Sequence, residues 1–483
     1  TLRTIQKKSD IDLSKPNVID FYLGQFIKDT SAIDLTSEIL LIIEPMKRTK
    51  GQRPSGMFGP MPNMVVICKP KKGRTIELAK SSSLKTTAVV DGWFVATGAD
   101  SWSPKSSTNP SPILAKLPDT QISSIVEFGA FWKQFRPIVQ MLGGMYIGSM
   151  NRPGPDGVIT SERKNATSTA SKGFKALTGW CSAINNITLG MDFDRYTLIT
   201  NIDVIMKEPK NPVINNDSIH NMSELLSDTM VQYALSGKLR RKLLELDVES
   251  LWDLSDSISY GGASSFVTIG LKILAEYADD NVGAYGLNKK NGLTISCLSE
   301  VTNQDGYLAA LPNYFNEIAT MLLDEYRLKL TNAKKPNTWD VSMVGTDSED
   351  QRIINTVIHK GALLKFVKQG DDRIAMAFGP KRWKALNKSH PTPLSRVISD
   401  NANTVDIDFA LSFDARKFIV GFVDVAKEAN LENDISVSSS PSAKSSLLFG
   451  TTVNGTHIEI KTDLLGSATL IAEIDKEKAK AKM

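Results

Sequence analysis

The sequence is poor in the side chains that carry most protein chemistry: 3 cysteines and 4 histidines among 483 residues. Cys68, Cys181 and Cys297 form no C-x-x-C pair and are odd in number, so they read as buried free thiols packing as small apolar groups. No apolar run approaches the roughly eighteen residues that a membrane-spanning helix needs. The longest, 39–43 and 64–68, have strand length. Net charge is almost absent as well. The 57 basic and 53 acidic residues leave +4, too even to argue for a nucleic-acid partner. Also missing are the nucleophile elbow G-x-S-x-G, a Gly-rich phosphate loop ending in Lys-Ser/Thr, G-x-G-x-x-G after a strand, and H-E-x-x-H. These absences set the expectation of a protein that is not an enzyme and takes no cofactor and no metal.

What the chain does have is the make-up of a folded protein, with 41% apolar and 23% charged residues. Its length exceeds one ordinary core, so two domains of roughly 200 residues are expected. An internal repeat supports that division. Shifting the chain by 281 residues aligns 75–139 with 356–420 without a gap, giving 11 identities in 65 positions. Gly98 falls on Gly379, Trp102 on Trp383, Pro110 and Pro112 on Pro391 and Pro393, and Phe128 on Phe409. Gly, Trp and Pro are where backbone and packing demands are strictest. A second block, 187–199 on 447–459, matches in pattern: a strand, a turn at Asp194-Arg195 or Asn454-Gly455, and a returning strand. Looser matches set 65–68 against 294–297, 39–43 against 282–285, and a helix at 18–27 against one at 266–277.

The first copy carries 21 extra residues within 143–172, a stretch rich in Gly, Pro, Ser, Asn and charge that reads as a surface loop. Exposed Met and Tyr there would lower solubility unless a partner covered them. The boundary falls in the Pro- and Asn-rich 208–221, giving a first repeat at 1–215 and a second at 222–483. Beyond the boundary, 223–246 reads as a helical pair broken at Gly237 with Ser223 as N-cap, and 307–323 as a helix of the second copy alone. The segments 126–142 and 405–425 pass from strand period to helix period, with Asp414 placed as a helix cap. Strands running into helices, joined by antiparallel hairpins, indicate an α+β fold. The expected architecture is two homologous tandem domains, each a mainly antiparallel sheet with helices packed on one side.

Candidate site residues are few. His220, His359, His390 and His457 are scattered, and only His457 has a neighbouring ligand type, Glu459, on its own strand face. Two ligands do not make a metal site. Asp192 and Asp194 flank a turn, while Asp406 and Asp408 share what reads as the solvated face of a strand opposite Ile407 and Phe409. The basic clusters 69–74 and 238–242 read as solvated faces. Trp102 and Trp383 suit core anchors better than platforms for bases or sugars.

With its strand-plus-Gly-plus-Trp step at 94–102 and 375–383, its strand-to-helix element and its final hairpin, the chain resembles exported bacterial proteins of unknown function with a tandemly duplicated α/β unit. The resemblance implies no cofactor and no catalytic residue. A start at Thr1 fits a removed export signal and equally well trimming. The functional expectation is a non-catalytic extracytoplasmic structural or interaction subunit, in the periplasm or on the cell surface. Its partners would be other protein subunits, a second copy included, and the membrane would be reached only through a partner or a removed signal or anchor. The alternative is a periplasmic or surface carrier module for an apolar ligand.

Overall fold

The computed structural model describes residues 26–34, 39–44, 63–79, 84–98, 120, 122–150, 152, 159, 161–208, 212–245, 277–322, 328–344, 348–380, 386–429, 437 and 442–480, apart from a few positions within these ranges. Trp102, Trp383 and most of the helices expected at 18–27 and 266–277 lie outside these residues. The fold is α+β with antiparallel sheets. The chain divides into two compact units, one of residues 1–135 with 181–208, the other of 136–180 with 209–483.

The first unit contains β1 (Ile39–Glu44), β2 (Asn63–Cys68), β3 (Thr86–Val90) and β4 (Trp93–Thr97), paired in the order β1-β2-β4-β3. Apolar residues run continuously through β1 and β2, and Val66, Cys68, Phe94 and Ala96 join Ile27 and Ile33 in one core. The β3–β4 turn places Gly92 at φ +82°, a conformation open to glycine without strain. Three more strands, β5 (Ile122–Val126), β6 (Ile184–Asp194) and β7 (Thr197–Met206), pair in the order β5-β6-β7.

In the second unit the strands are β8 (Val231–Leu235), β9 (Ala278–Asn288), β10 (Gly292–Val301), β11 (Leu328–Asn332), β12 (Thr338–Met343), β13 (Ala362–Gln369), β14 (Arg373–Gly379), β15 (Asp406–Asp414), β16 (Lys444–Thr452) and β17 (Gly455–Asp463). They pair in the order β11-β12-β13-β14-β10-β9-β8-β15-β16-β17. Hence β13-β14-β10-β9 repeats the neighbour order β3-β4-β2-β1, and β15-β16-β17 repeats β5-β6-β7.

Nine helices are described: α1 (Phe128–Met150), α2 (Ser161–Ala183), α3 (Asp217–Ser223), α4 (Gly237–Glu245), α5 (Gln304–Leu322), α6 (Ser348–Val357), α7 (Pro393–Asn401), α8 (Ala415–Glu428) and α9 (Leu464–Lys480). Two clusters hold the second unit together. Ile219 and Met222 of α3 and Leu394, Val397 and Ile398 of α7 meet Ala234, Val282, Leu298, Ala375 and Leu448 of the sheet. Tyr307 and Leu311 of α5 meet Trp339, Phe366, Ile374 and Phe378. Ile374 and Ala375 are adjacent on β14 and so point to opposite faces. Helices therefore cover both faces of this sheet, where one-sided cover was expected, because β10 and β14 carry apolar side chains on both sides. The core start of α7 is set by Thr392, whose hydroxyl accepts from Ser395 N at 3.0 Å in a reciprocal capping box.

Four sequence expectations need correction. The stretch 143–172 is not a loop: it lies mostly in α1 and α2. Gly143 is placed for packing, since a Cβ there would come within 2.2 Å of the Phe174 ring. Ser223 ends α3 rather than capping a helix; its hydroxyl donates to His220 O, and β8 follows. The strand-to-helix junctions differ by 287 residues rather than 281, since α1 begins at Phe128 and α8 at Ala415, so Phe128 and Phe409 are not equivalent. The two hairpin turns lie between Asp194 and Thr197 and between Thr452 and Gly455, each one residue from the expected place.

Candidate functional site

The junction from β15 into α8 is built around buried polar groups. Asp414 ends the strand and caps the helix, its carboxylate accepting from Arg416 N and Lys417 N at 3.2 Å and from Ala443 N at 3.3 Å. Arg416 is 1% exposed and its guanidinium donates to Glu473 of α9 at 2.8 Å, tying the two helices together. Further along, Gly421 lets α8 lie close on β9, because a Cβ would come within 2.3 Å of Leu287 O.

With its inner side fixed in this way, α8 presents aromatic rings outward. Phe413 and Phe418 have centroids 5.8 Å apart, and Phe418 and Phe422 5.2 Å. Phe418 is 36% exposed and Phe422 57%, and Ile471 of α9 is exposed as well. The first unit has the same device. Phe131 and Phe135, at the same helix positions of α1 as Phe418 and Phe422 of α8, stack at 4.3 Å, and Phe131 is exposed. The inner neighbour Trp132 is buried and donates to Ser182 Oγ at 2.8 Å. Sequence reasoning missed these pairs because an ungapped alignment set Phe131 on Ser412. Two phenylalanines four apart just after each strand were the available signal.

The residues singled out as chemical candidates disperse. Glu459 is engaged by Asn401 at 3.0 Å and Lys461 at 3.1 Å, not by a ligand set with His457. His390 Nδ1 lies 2.9 Å from Lys388 O. Among the described residues no three His, Cys, Asp or Glu side chains come together as metal ligands. Asp408 is buried rather than solvated: a bulge between Ile407 and Phe409 turns it toward the hydroxyls of Thr451, at 3.0 Å, and Ser236, at 3.3 Å. Asp406 pairs with Lys238. The cluster at 238–242 is a solvated face only in part, with Lys238 and Arg241 exposed. Arg240 is fully buried and donates to Ala278 O and Asp279 O, while Arg241 pairs with Asp279. Burial, with Arg241 alongside, pulls the Arg240 guanidinium down to about 10.

A buried polar line also crosses β8, β9 and β10. Tyr233 donates to Asn281 Oδ1 at 2.7 Å, and Asn281 Nδ2 donates to Ser299 Oγ at 2.6 Å. Burial lifts the Tyr233 phenol well above its ordinary range and the neighbouring Cys297 thiol to about 11. Burial raises Cys68 to about 11 and also raises Cys181. A thiol titrating near 11 is about one part in a thousand thiolate at pH 8, so it is a poor nucleophile. An aromatic disulfide reagent at pH 8 is expected to label Cys181 of the native chain readily and all three thiols only after unfolding. Prompt labelling of Cys68 or Cys297 in the native state would contradict this burial.

A cavity of about 260 Å³ lies beside α8, lined by Met230, Leu287, Val420, Asn288, Asn291 and Lys417 among others. Its mixed lining and size sit below the range of pockets that enclose drug-sized ligands.

No protein-family model and no curated protein matches the chain. The chain is similar to solved structures of TP0453. Crystal form III has 9% identity and a TM-score of 0.22, covering 52% of this chain and 97% of that one. Crystal form I has 8% identity and a TM-score of 0.22, with 53% and 97% covered. Likeness at this level carries no argument about fold or role.

Proposed function

We propose that the chain is a non-catalytic interaction subunit of a larger extracytoplasmic assembly, built from two tandem copies of one α+β unit. The observation that carries the reading is the recurrence of a phenylalanine pair in ring contact, with at least one ring exposed, at the same step of each unit: Phe131–Phe135 and Phe418–Phe422. An exposed pair of rings on one unit needs no explanation, whereas the same pair at the same helix positions of both suits docking anchors. The repeated strand order supports the duplication. The scattered histidines, the engaged carboxylates and the raised thiols support a surface role over chemistry. The carrier alternative has less behind it, since the cavity beside α8 is small and of mixed lining.

Sedimentation of the purified chain tests the reading. The native chain is expected to form species heavier than one 52.9 kDa copy with itself or an added partner, and Phe422→Ser to leave only single copies. Because Phe422 is largely exposed, this change is expected to alter stability by about 0.5 kcal/mol or less. Assembly unchanged by Phe422→Ser and by Phe131→Ser would remove the aromatic pairs from the account.

A further inference from the structure

We infer that the distal part of α1 is a lipid-binding element that lies in the surface of an anionic membrane. This goes beyond the subunit reading, which rests on other residues, and departs from the expectation that a membrane would be reached only through a partner or anchor. Residues 137–150 contain no charged side chain. Four large apolar residues stand out in two adjacent turns: Met141 is 54% exposed, Leu142 47%, Met145 66% and Tyr146 54%. At 100° per residue they span about 140° of the helix surface, wider than the stripe a helix normally buries. Gly143 points elsewhere, toward Phe174 of α2, so the packing of α1 on α2 leaves this face uncovered.

Charge selects the occupant. Lys133 and Arg136 precede the uncharged stretch and Arg152 follows it, all exposed. Residues 128–183 hold seven basic and two acidic residues, a net +5, while the whole chain nets only +4. The two helices that carry the exposed apolar face thus form a locally basic stretch. An apolar face without charge, framed by Lys and Arg whose stems can reach up to headgroups, is the pattern of a helix lying in an interface. Tyr146, with a ring to bury and a hydroxyl to keep wet, suits the headgroup depth. Among the described residues no helix is long and apolar enough to cross a membrane, which fits lying in the surface rather than spanning it.

Flotation with vesicles tests this directly. The native chain is mixed at about 0.1 M salt with phosphatidylglycerol–phosphatidylcholine vesicles or with phosphatidylcholine alone and centrifuged through a density gradient. It is expected to float with the anionic vesicles, less with the neutral ones, and less again at about 1 M salt. The double variant Met141→Glu/Met145→Glu is expected to float at least about tenfold less, since two buried side chains become charged. Both positions are exposed, so its thermal unfolding should match the native chain and report that it folds. A native chain that stays at the bottom with both vesicles overturns the proposal, as does a variant that floats equally well or flotation indifferent to lipid charge. If the same variant instead dissolves a lipid-free oligomer, the face is a protein interface and the lipid proposal is wrong. Phe422→Ser should float normally, so failure here is separable from failure of the subunit reading.

Discussion

Arg416→Ala is expected to destabilise the chain by about 3 kcal/mol, because it strips the partner from a carboxylate fixed at a buried helix junction. The guanidinium is 1% exposed and Glu473 is itself more than two-thirds buried, so the ion pair at 2.8 Å has little water to replace it. The loss should be felt at both ends of the contact: α8 loses the group behind its first turn and α9 loses its tie to α8. Arg416→Met keeps most of the buried volume and should cost less than Arg416→Ala. Chemical denaturation of the three chains checks the order. An Arg416→Ala chain within about 1 kcal/mol of the native one would show that the pair is solvated and that Asp414 alone fixes the junction.

Leu298→Ala is expected to cost about 3 kcal/mol, by a different route. Leu298 is fully buried in the middle of β10, beneath the residues of α3 and α7, and truncation leaves a cavity that close-packed neighbours on β9 and β14 cannot fill. Val367, two strands away on β13 and 57% exposed, serves as the comparison: Val367→Ala should change stability by about 0.5 kcal/mol or less. Equal losses at the two positions would mean that the cluster around Leu298 is not the core of the second unit.

Sequence periodicity served well where an element was long or its end carried a chemical signal. The helix expected at 307–323 appears as Gln304–Leu322. Asp414 caps as its position before an apolar helical run suggested, and both final hairpins form. It failed where composition and geometry pull apart. The segment now in α2 is rich in Ser, Thr, Asn and Lys and looks like a loop, yet Ala170, Phe174 and Thr178 recur at one helical step and turn to the inside. Gly143-Gly144 looked like flexibility, but one of the two is the space a phenylalanine ring fills. Strand β8 was absorbed into a helix because five residues are too few to separate the two periods.

The aromatic pairs were illegible for another reason. Their meaning lies in being repeated, and an ungapped alignment slid past the repetition by six residues. The burial of Arg240 and Asp408 could not be read from sequence either. Both rest on contacts between residues far apart in the chain, Arg240 with the start of β9 and Asp408 with Ser236 and Thr451.

An interaction subunit of the kind proposed works through its surface and not through an enclosed site. A native mass spectrum of the protein taken gently from its source tests that most directly. The account predicts masses above 52.9 kDa that correspond to added protein chains, with no small molecule retained in fixed proportion. A single chain carrying one stoichiometric ligand of a few hundred daltons per unit would contradict it and establish the carrier instead.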